Sequence, residues 1–164
     1  MQCYPSAMKL PEGVEWALHC ALLIAEAPDG MALPRRVLAE HHELPEAYLA
    51  KHLQALVRAG LLQATPGPSG GFRLARPASQ ISVLDVVEAI EGAASPFVCR
   101  EIRQRGTGAA RPEECLRPCA IAAAMAQAHQ AWQESLRTVT LDQLVHRVPQ
   151  TVRKRNRVKF SADR

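Results

Sequence analysis

Cys99, Cys115 and Cys119 fall in the pattern C-x15-C-x3-C, around an arginine-rich stretch and at the mouth of a helix-forming run. Thiolates at this spacing offer a soft-metal site. Structural zinc favours two short-spaced pairs, and only one is present, so a closed four-ligand zinc site needs a distant residue. An iron-sulfur cluster is held by thiolates and accepts histidine or carboxylate in their place. Three reduced, packed thiols are the plain alternative. Glu15 and His19 stand one helical turn apart, so both point the same way and could meet one metal, although such a pair also reads as a solvated contact. His41, His42 and His129 are further nitrogens, each equally readable as a surface or satisfied histidine.

A second set of residues suits a nucleic-acid polyanion. A recognition helix fits the major groove, where exposed polar side chains read base edges and neighbours grip phosphate. The candidates on such a helix are Glu46, Ala47, Tyr48, Lys51, His52 and Gln54. Arg35 and Arg36 near the start of the preceding helix are placed to hold the backbone, and Arg73 to enter the minor groove. Ser69, Gly70 and Gly71 offer a hydroxyl and accessible amides to a phosphate. A protein-binding module with a solvated basic face is the competing reading.

The elements that must position these residues follow from periodicity. Val14, Leu18, Ala21, Leu22 and Ala25 repeat at helical spacing, and Pro28-Asp29-Gly30 closes that first helix as a turn. A short second helix is predicted from near Leu33, with Pro34 in its first turn, to His41 or His42. The third runs from Pro45 through Leu49, Leu53, Leu56 and Val57 to a stop at Gly60. Two helices so closely joined predict helix-turn-helix. Leu61 to Ala64 and Phe72 to Ala75 are strand-like runs around seven residues that are nearly all turn formers, which predicts a two-stranded wing. Ser82 and Asp85 resemble a capping box for a helix through Val83, Val86, Val87 and Ile90 that Gly92 ends. Periodicity then fails from Ser95 to Arg117, and a loop of that length is usually functional or disordered. Ala120 to Arg137 is a strong helix former whose Ile121, Met125, Ala128, Trp132 and Leu136 make one apolar seam, and Thr140 with Gln143 caps a short helix after it.

These elements predict a mainly α protein, a winged helix-turn-helix with a long C-terminal dimerisation helix. The expected divisions are a DNA-binding domain at 1–92, a cysteine-bearing loop at 93–119 that would be the cluster-binding one if its thiols hold a cluster, a dimerisation helix and short terminal helix at 120–146, and a basic, disordered tail at 147–164. Residues 1–7 are read as an extension before an alternative start at Met8. Among 164 residues, 48% are apolar and 22% charged, so there is a core to bury, while seven aromatics argue against a base-stacking RNA or single-strand binder. Net charge is +4. It is placed unevenly: residues 31–76 sum to +3 and those from Gln150 onward to +5, which marks where an anionic partner belongs. The tail reads either as added nonspecific phosphate affinity or as a solvated terminus. An odd number of cysteines, five with Cys3 and Cys20, and no secretory pattern predict a cytoplasmic protein without a disulfide scaffold. No stretch approaches a membrane span. No nucleophile with a base and orienting group is evident, so an enzyme is not expected.

The run EAYLAKHLQALVRAGLL, then GPSGGFRLARPASQISVLDVVEAIEG, then loop cysteines before a long helix resembles the iron-sulfur winged-helix transcription regulators of bacteria, the family of IscR and NsrR. The likeness spans roughly Met8 to Val145. Met8-Lys9-Leu10 followed by GVEWALHC, and later FVCREIRQRG, C-x3-C and AIAAAM, resemble its redox-sensor branch, that of RsrR. The resemblance implies a homodimer on a palindromic double-stranded operator and a 2Fe-2S cluster shared between subunits. Its implied ligands are Cys99 and Cys119 of one chain with Glu15 and His19 of the other. Cys115 is then a spare thiol and His42 a reserve nitrogen. Trp16, beside Glu15, becomes the expected switch that relays redox state to the helix-turn-helix, with no membrane and no small-molecule substrate involved. A regulator of the same fold that senses through bare thiols or holds zinc is the alternative.

Overall fold

The structure, a computed structural model, describes residues 10–28 and 31–162. The extension at 1–7 with Cys3, the start at Met8, and Asp29 and Gly30 of the first turn lie outside these residues. The chain divides into two compact units, residues 1–92 with 137–164, and residues 93–136.

In the first unit, α1 (Glu12–Glu26) buries Val14, Ala17, Cys20, Ala21, Leu23 and Ile24, a stripe at the helical repeat. Helices α2 (Arg35–His42) and α3 (Glu46–Arg58) form the helix-turn-helix. Between them Glu43 adopts φ 53°, and its amide donates to the carbonyls of Ala39 and Glu40, which closes α2. Leu38, Leu49, Leu53 and Leu56 are fully enclosed and lock the pair together. Strands β1 (Leu62–Thr65) and β2 (Gly71–Leu74) pair antiparallel, with Leu62 opposite Leu74 and Thr65 opposite Gly71. The hairpin is tied to the chain before α2 because Leu33 and Phe72 exchange backbone hydrogen bonds, both 2.9 Å. A Cβ on Gly71 would lie 2.4 Å from the Leu33 carbonyl, so glycine is what lets the two backbones meet.

Helix α4 (Val83–Glu91) opens with the expected capping box: the Ser82 hydroxyl accepts from the Asp85 amide, and the Asp85 carboxylate accepts from the Ser82 amide. Gly92 ends it. Helix α6 (Leu141–Arg147) carries the Thr140 and Gln143 box. It belongs with the winged helix: the Leu141 amide donates to Ile81, the Val83 amide to Val139, and Leu141 is fully buried in the core. The expected division that groups this short helix with the dimerisation helix is therefore corrected. In the second unit, two 3-10 turns, Ile102–Gln104 and Pro112–Cys115, precede α5 (Ala120–Arg137), which ends at the boundary. None of the α5 residues is buried.

The expectation of a disordered tail is also corrected. Gln150–Ala162 is a helix, α7. Asn156 and Phe160, one turn apart, lie on its docked face, and both are buried. The Asn156 side-chain amide donates at 2.9 Å to the buried carboxylate of Glu26 on α1. A buried carboxylate needs such a donor, and that need fixes the helix in place.

Candidate DNA-reading face and metal-ligand residues

On α3, Glu46, Ala47, Tyr48, Lys51 and Gln54 are exposed on the side away from the core, and Tyr48 retains 67% of its accessible surface. The Arg35 guanidinium pairs with Glu46 at 2.8 Å, and Arg36 with Glu40 one turn along α2 at 2.9 Å. Exposed pairs of this kind are worth about 0 to 1 kcal/mol, so a phosphate can take either arginine from its carboxylate at small cost. On the wing, Arg73 donates to the Gln63 side chain at 3.1 Å and Ser69 is exposed. Gly70 does not offer its amide to a ligand. It is buried, and its N–H donates at 2.9 Å to Gly67 within the turn.

His52 departs from the reading face too. Its ring lies over Gly13 of α1, where a Cβ would come within 2.3 Å of it, and meets Trp16 edge-on at 6.0 Å. Burial, then the neighbouring Lys51 charge, hold its imidazole below the ordinary range. The sequence offers His52 as an exposed polar residue of the recognition helix, but the structure turns its ring toward α1.

Glu15 and His19 are exposed on one face of α1, as their spacing predicts, and Trp16 between them is half-buried. The His19 ring lies 5.2 Å from that of His42, which in turn lies 4.8 Å from His41. Burial, then the adjacent His41 and His19, push His42 down to about 4, so its imidazole is neutral at pH 7. Its Nε2 and the His41 Nδ1 are enclosed without a hydrogen-bond partner. Cys20, next in sequence to His19, faces the opposite way: it is fully buried, and burial pushes its thiol up to about 12. It takes no part in the exposed ligand face.

In the second unit, Arg103 holds both carboxylate oxygens of Glu101, one at 2.7 Å, and donates to the Arg117 carbonyl at 3.3 Å. Its charge reaches both Cys115 and Cys119. The Cys119 sulfur accepts from the amides of Ala122 and Ile121 at the start of α5, and these, with Arg103, draw the thiol below its usual range. Cys99 is exposed, Cys115 and Cys119 partly so. The structure thus brings Cys115 to the same arginine as Cys119, a juxtaposition that sequence spacing does not reveal. No motif marks Arg103 and Glu101 as a pair in the sequence; Glu101 itself adopts a left-handed backbone, φ 48°.

Among the described residues of one chain, no three histidine, cysteine or acidic side chains converge as a metal site. The donors nevertheless suit a shared 2Fe-2S centre: accessible thiols, one held toward thiolate by helix-start amides, and an exposed carboxylate and imidazole on one helix face. On α5, Ile121 and Met125 keep 64% and 41% of their surface exposed, and the His129 and Trp132 rings stack 5.6 Å apart. Among the described residues, no helix is long and apolar enough to cross a membrane.

Comparison with known proteins places this architecture. The family model Rrf2, described as iron-dependent transcriptional regulator, matches residues 10–147. The chain is 30% identical over 141 residues to the HTH-type transcriptional regulator YwgB of Bacillus subtilis, with 86% of each chain covered. It is 32% identical over 137 residues to the HTH-type regulator YffB of Lactococcus lactis, covering 84% of this chain and 86% of that one. The fold is similar to that of CymR, the global cysteine regulator of B. subtilis, with a TM-score of 0.67 at 21% identity over 87% of this chain and 100% of that one. It is likewise similar to T. potens IscR, with a TM-score of 0.67 at 19% identity over 90% and 93% of the two chains. The winged-helix fold is common to these structures, and the two sequence relatives are named as regulators of transcription, not as enzymes.

Proposed function

The chain belongs to the Rrf2 family of DNA-binding transcriptional regulators, and from that premise we propose that it is a homodimeric, cytoplasmic redox sensor of the RsrR kind, reading a palindromic operator. Its DNA affinity follows the oxidation state of a 2Fe-2S cluster shared between subunits. The observation that carries this reading is the α1 face: Glu15 and His19 are exposed together, and Trp16 between them touches His52 of α3 edge-on at 6.0 Å. The helix that carries the candidate ligands packs on α3, and the Trp16–His52 ring pair is part of that contact.

Cys99 and Cys119 of one chain, with Glu15 and His19 of the other, would hold the cluster. Bound there, it would supply a one-electron change of charge beside α1. The protein's own part is mechanical. Glu15 and Trp16 are consecutive in α1, so a displacement of that helix following its ligand residues would carry the Trp16 ring against His52. Gly13 leaves room on α1 for the imidazole, which lies over that glycine and meets the Trp16 ring edge-on. The exposed residues Tyr48, Lys51 and Gln54 then shift with α3 relative to the base edges, while Arg35, Arg36, Ser69 and Arg73 exchange local partners for phosphate. The apolar seam of α5 pairs with a second copy, which gives the two-fold symmetry a palindrome requires.

Two donors compete with the proposed set. Cys115 shares Arg103 with Cys119, and His42 presents an unpartnered Nε2 beside His19. Cys115, which like Cys119 lies within the field of Arg103, also supports the second reading, in which the fold senses oxidants through bare thiols or holds zinc. A visible absorption spectrum with iron and sulfide assay on anaerobically purified protein separates the two: the cluster reading predicts colour and two irons with two sulfides per cluster, and a colourless protein ends it. The relay has its own test. Trp16→Ala should keep the cluster spectrum yet reduce the redox-dependent change in DNA affinity from about tenfold, which needs only about 1.4 kcal/mol, to near none. Normal switching by that variant would remove Trp16 from the mechanism.

A further inference from the structure

Helix α7 carries Arg153, Lys154, Arg155, Arg157 and Lys159 and no acidic residue. A run of this composition ordinarily stays solvated, but here it is docked. Asn156 binds Glu26 of α1, and Phe160 is buried. Two anchors one turn apart fix the rotation of a helix about its axis. Arg155 and Lys159, also one turn apart, therefore share a single exposed flank, and among the described residues neither is paired with a carboxylate.

That flank has a definite neighbourhood. The Phe160 ring lies 6.2 Å from His41 of α2 and lines one groove with Pro34 at the start of α2 and with Ser69 and Arg73 of the wing. His41 is held below its ordinary pKa by burial first and then by the Lys159 charge, with Arg155 adding to it. The basic flank thus continues the surface made by the first helix of the helix-turn-helix and the wing. In this fold the first helix crosses the DNA backbone.

We infer that α7 is an additional DNA-backbone grip, in which Arg155 and Lys159, set in place by Asn156 and Phe160, bind phosphates of the same duplex that α2 and the wing engage. The inference rests on the DNA-binding reading of the winged helix. Of the polyanions such a flank could meet, duplex DNA is favoured over an acidic protein because the flank is continuous with the residues that face phosphate. Two long exposed cations without a rigid fork partner carry no base preference, so the contribution is to affinity and salt dependence and not to sequence choice.

The test is the affinity of the full-length protein for a random-sequence DNA duplex, measured by fluorescence anisotropy across a salt series. Each phosphate contact adds roughly 0.9 to the slope of log affinity against log salt, so the double variant Arg155→Gln/Lys159→Gln should lower the slope by about 1.8 for each protomer on the duplex, about 3.6 for the dimer, and weaken low-salt binding roughly tenfold or more. The charge-keeping variant Arg155→Lys/Lys159→Arg should retain the wild-type slope. Lys154→Gln, on a different side of the helix, should change it less than the double variant does. A double variant that keeps both the wild-type melting temperature and the wild-type slope overturns the α7 grip and leaves the helix to an acidic protein surface. Wild-type protein whose binding shows no salt dependence overturns the grip together with the DNA-binding reading beneath it.

Discussion

Cys119→Ala, purified without oxygen, is expected to be colourless and to have lost essentially all cluster iron and sulfide, while its winged helix stays folded. Cys119 stands just before α5, its sulfur accepting from two helix amides within the field of Arg103, so alanine there removes both the thiolate and the setting that favours it. Its loss leaves the folding core untouched because Cys119 contributes nothing to it. Glu15→Ala should bleach the protein as well, since the carboxylate is exposed and replaceable without repacking. Cys20→Ala should retain its colour, although removing a fully buried side-chain atom lowers stability by about 1 kcal/mol. The pair Cys99→Ala and Cys115→Ala assigns the second thiolate: the proposed set requires the first to bleach and the second to stay coloured. Absorption spectra and iron assays on these variants read the result directly. A fully coloured Cys119→Ala would exclude the proposed ligand set.

Ile121→Glu/Met125→Glu is expected to turn the dimer into monomers and to weaken binding to a palindromic duplex about 100-fold or more, while binding to a single half-site changes little. Both residues lie on one face of α5, exposed in the isolated chain, with no buried residue anywhere along that helix. An 18-residue helix with such a face gains stability only by covering it. Two carboxylates within the covered seam would have to be desolvated without partners, which outweighs the apolar burial on offer. Once the copies separate, the second half-site is no longer held at the high local concentration that linkage provides, a factor of about 100 to 10,000. Sedimentation velocity reports the oligomer and anisotropy the affinity. A variant that remains dimeric places the dimer contact elsewhere on the chain.

Most helix termini in this protein are legible because they are local chemistry. The boxes at Ser82 with Asp85 and at Thr140 with Gln143 are both formed, and Gly60 and Gly92 stand where positive φ closes a turn or a helix. Helical spacing also put Glu15 and His19 on one face. What sequence reading misplaced depends on contacts distant in the chain. Helix α7 is hidden because its docking residues, Asn156, Phe160 and Arg157, meet partners distant in the chain, and the buried Glu26 that receives Asn156 lies 130 residues away. His52 looked like a base reader because its partner Trp16 and the gap at Gly13 belong to another helix. The amide of Gly70 looked available until the turn closed on the Gly67 carbonyl. The pairing of Arg103 with Glu101, and the field it places on Cys115 and Cys119, belong to no sequence motif.

The most direct test of the whole account is one anaerobic preparation of the wild-type protein, its operator duplex first obtained by selection from random DNA, with affinity measured before and after a reversible one-electron redox change followed by visible absorption. The cluster-controlled regulator predicts that the spectrum and the affinity change together, the affinity by about tenfold or more, and that both return when the change is reversed. Equal affinity in the two states, with the cluster spectrum shown to have changed, would contradict it.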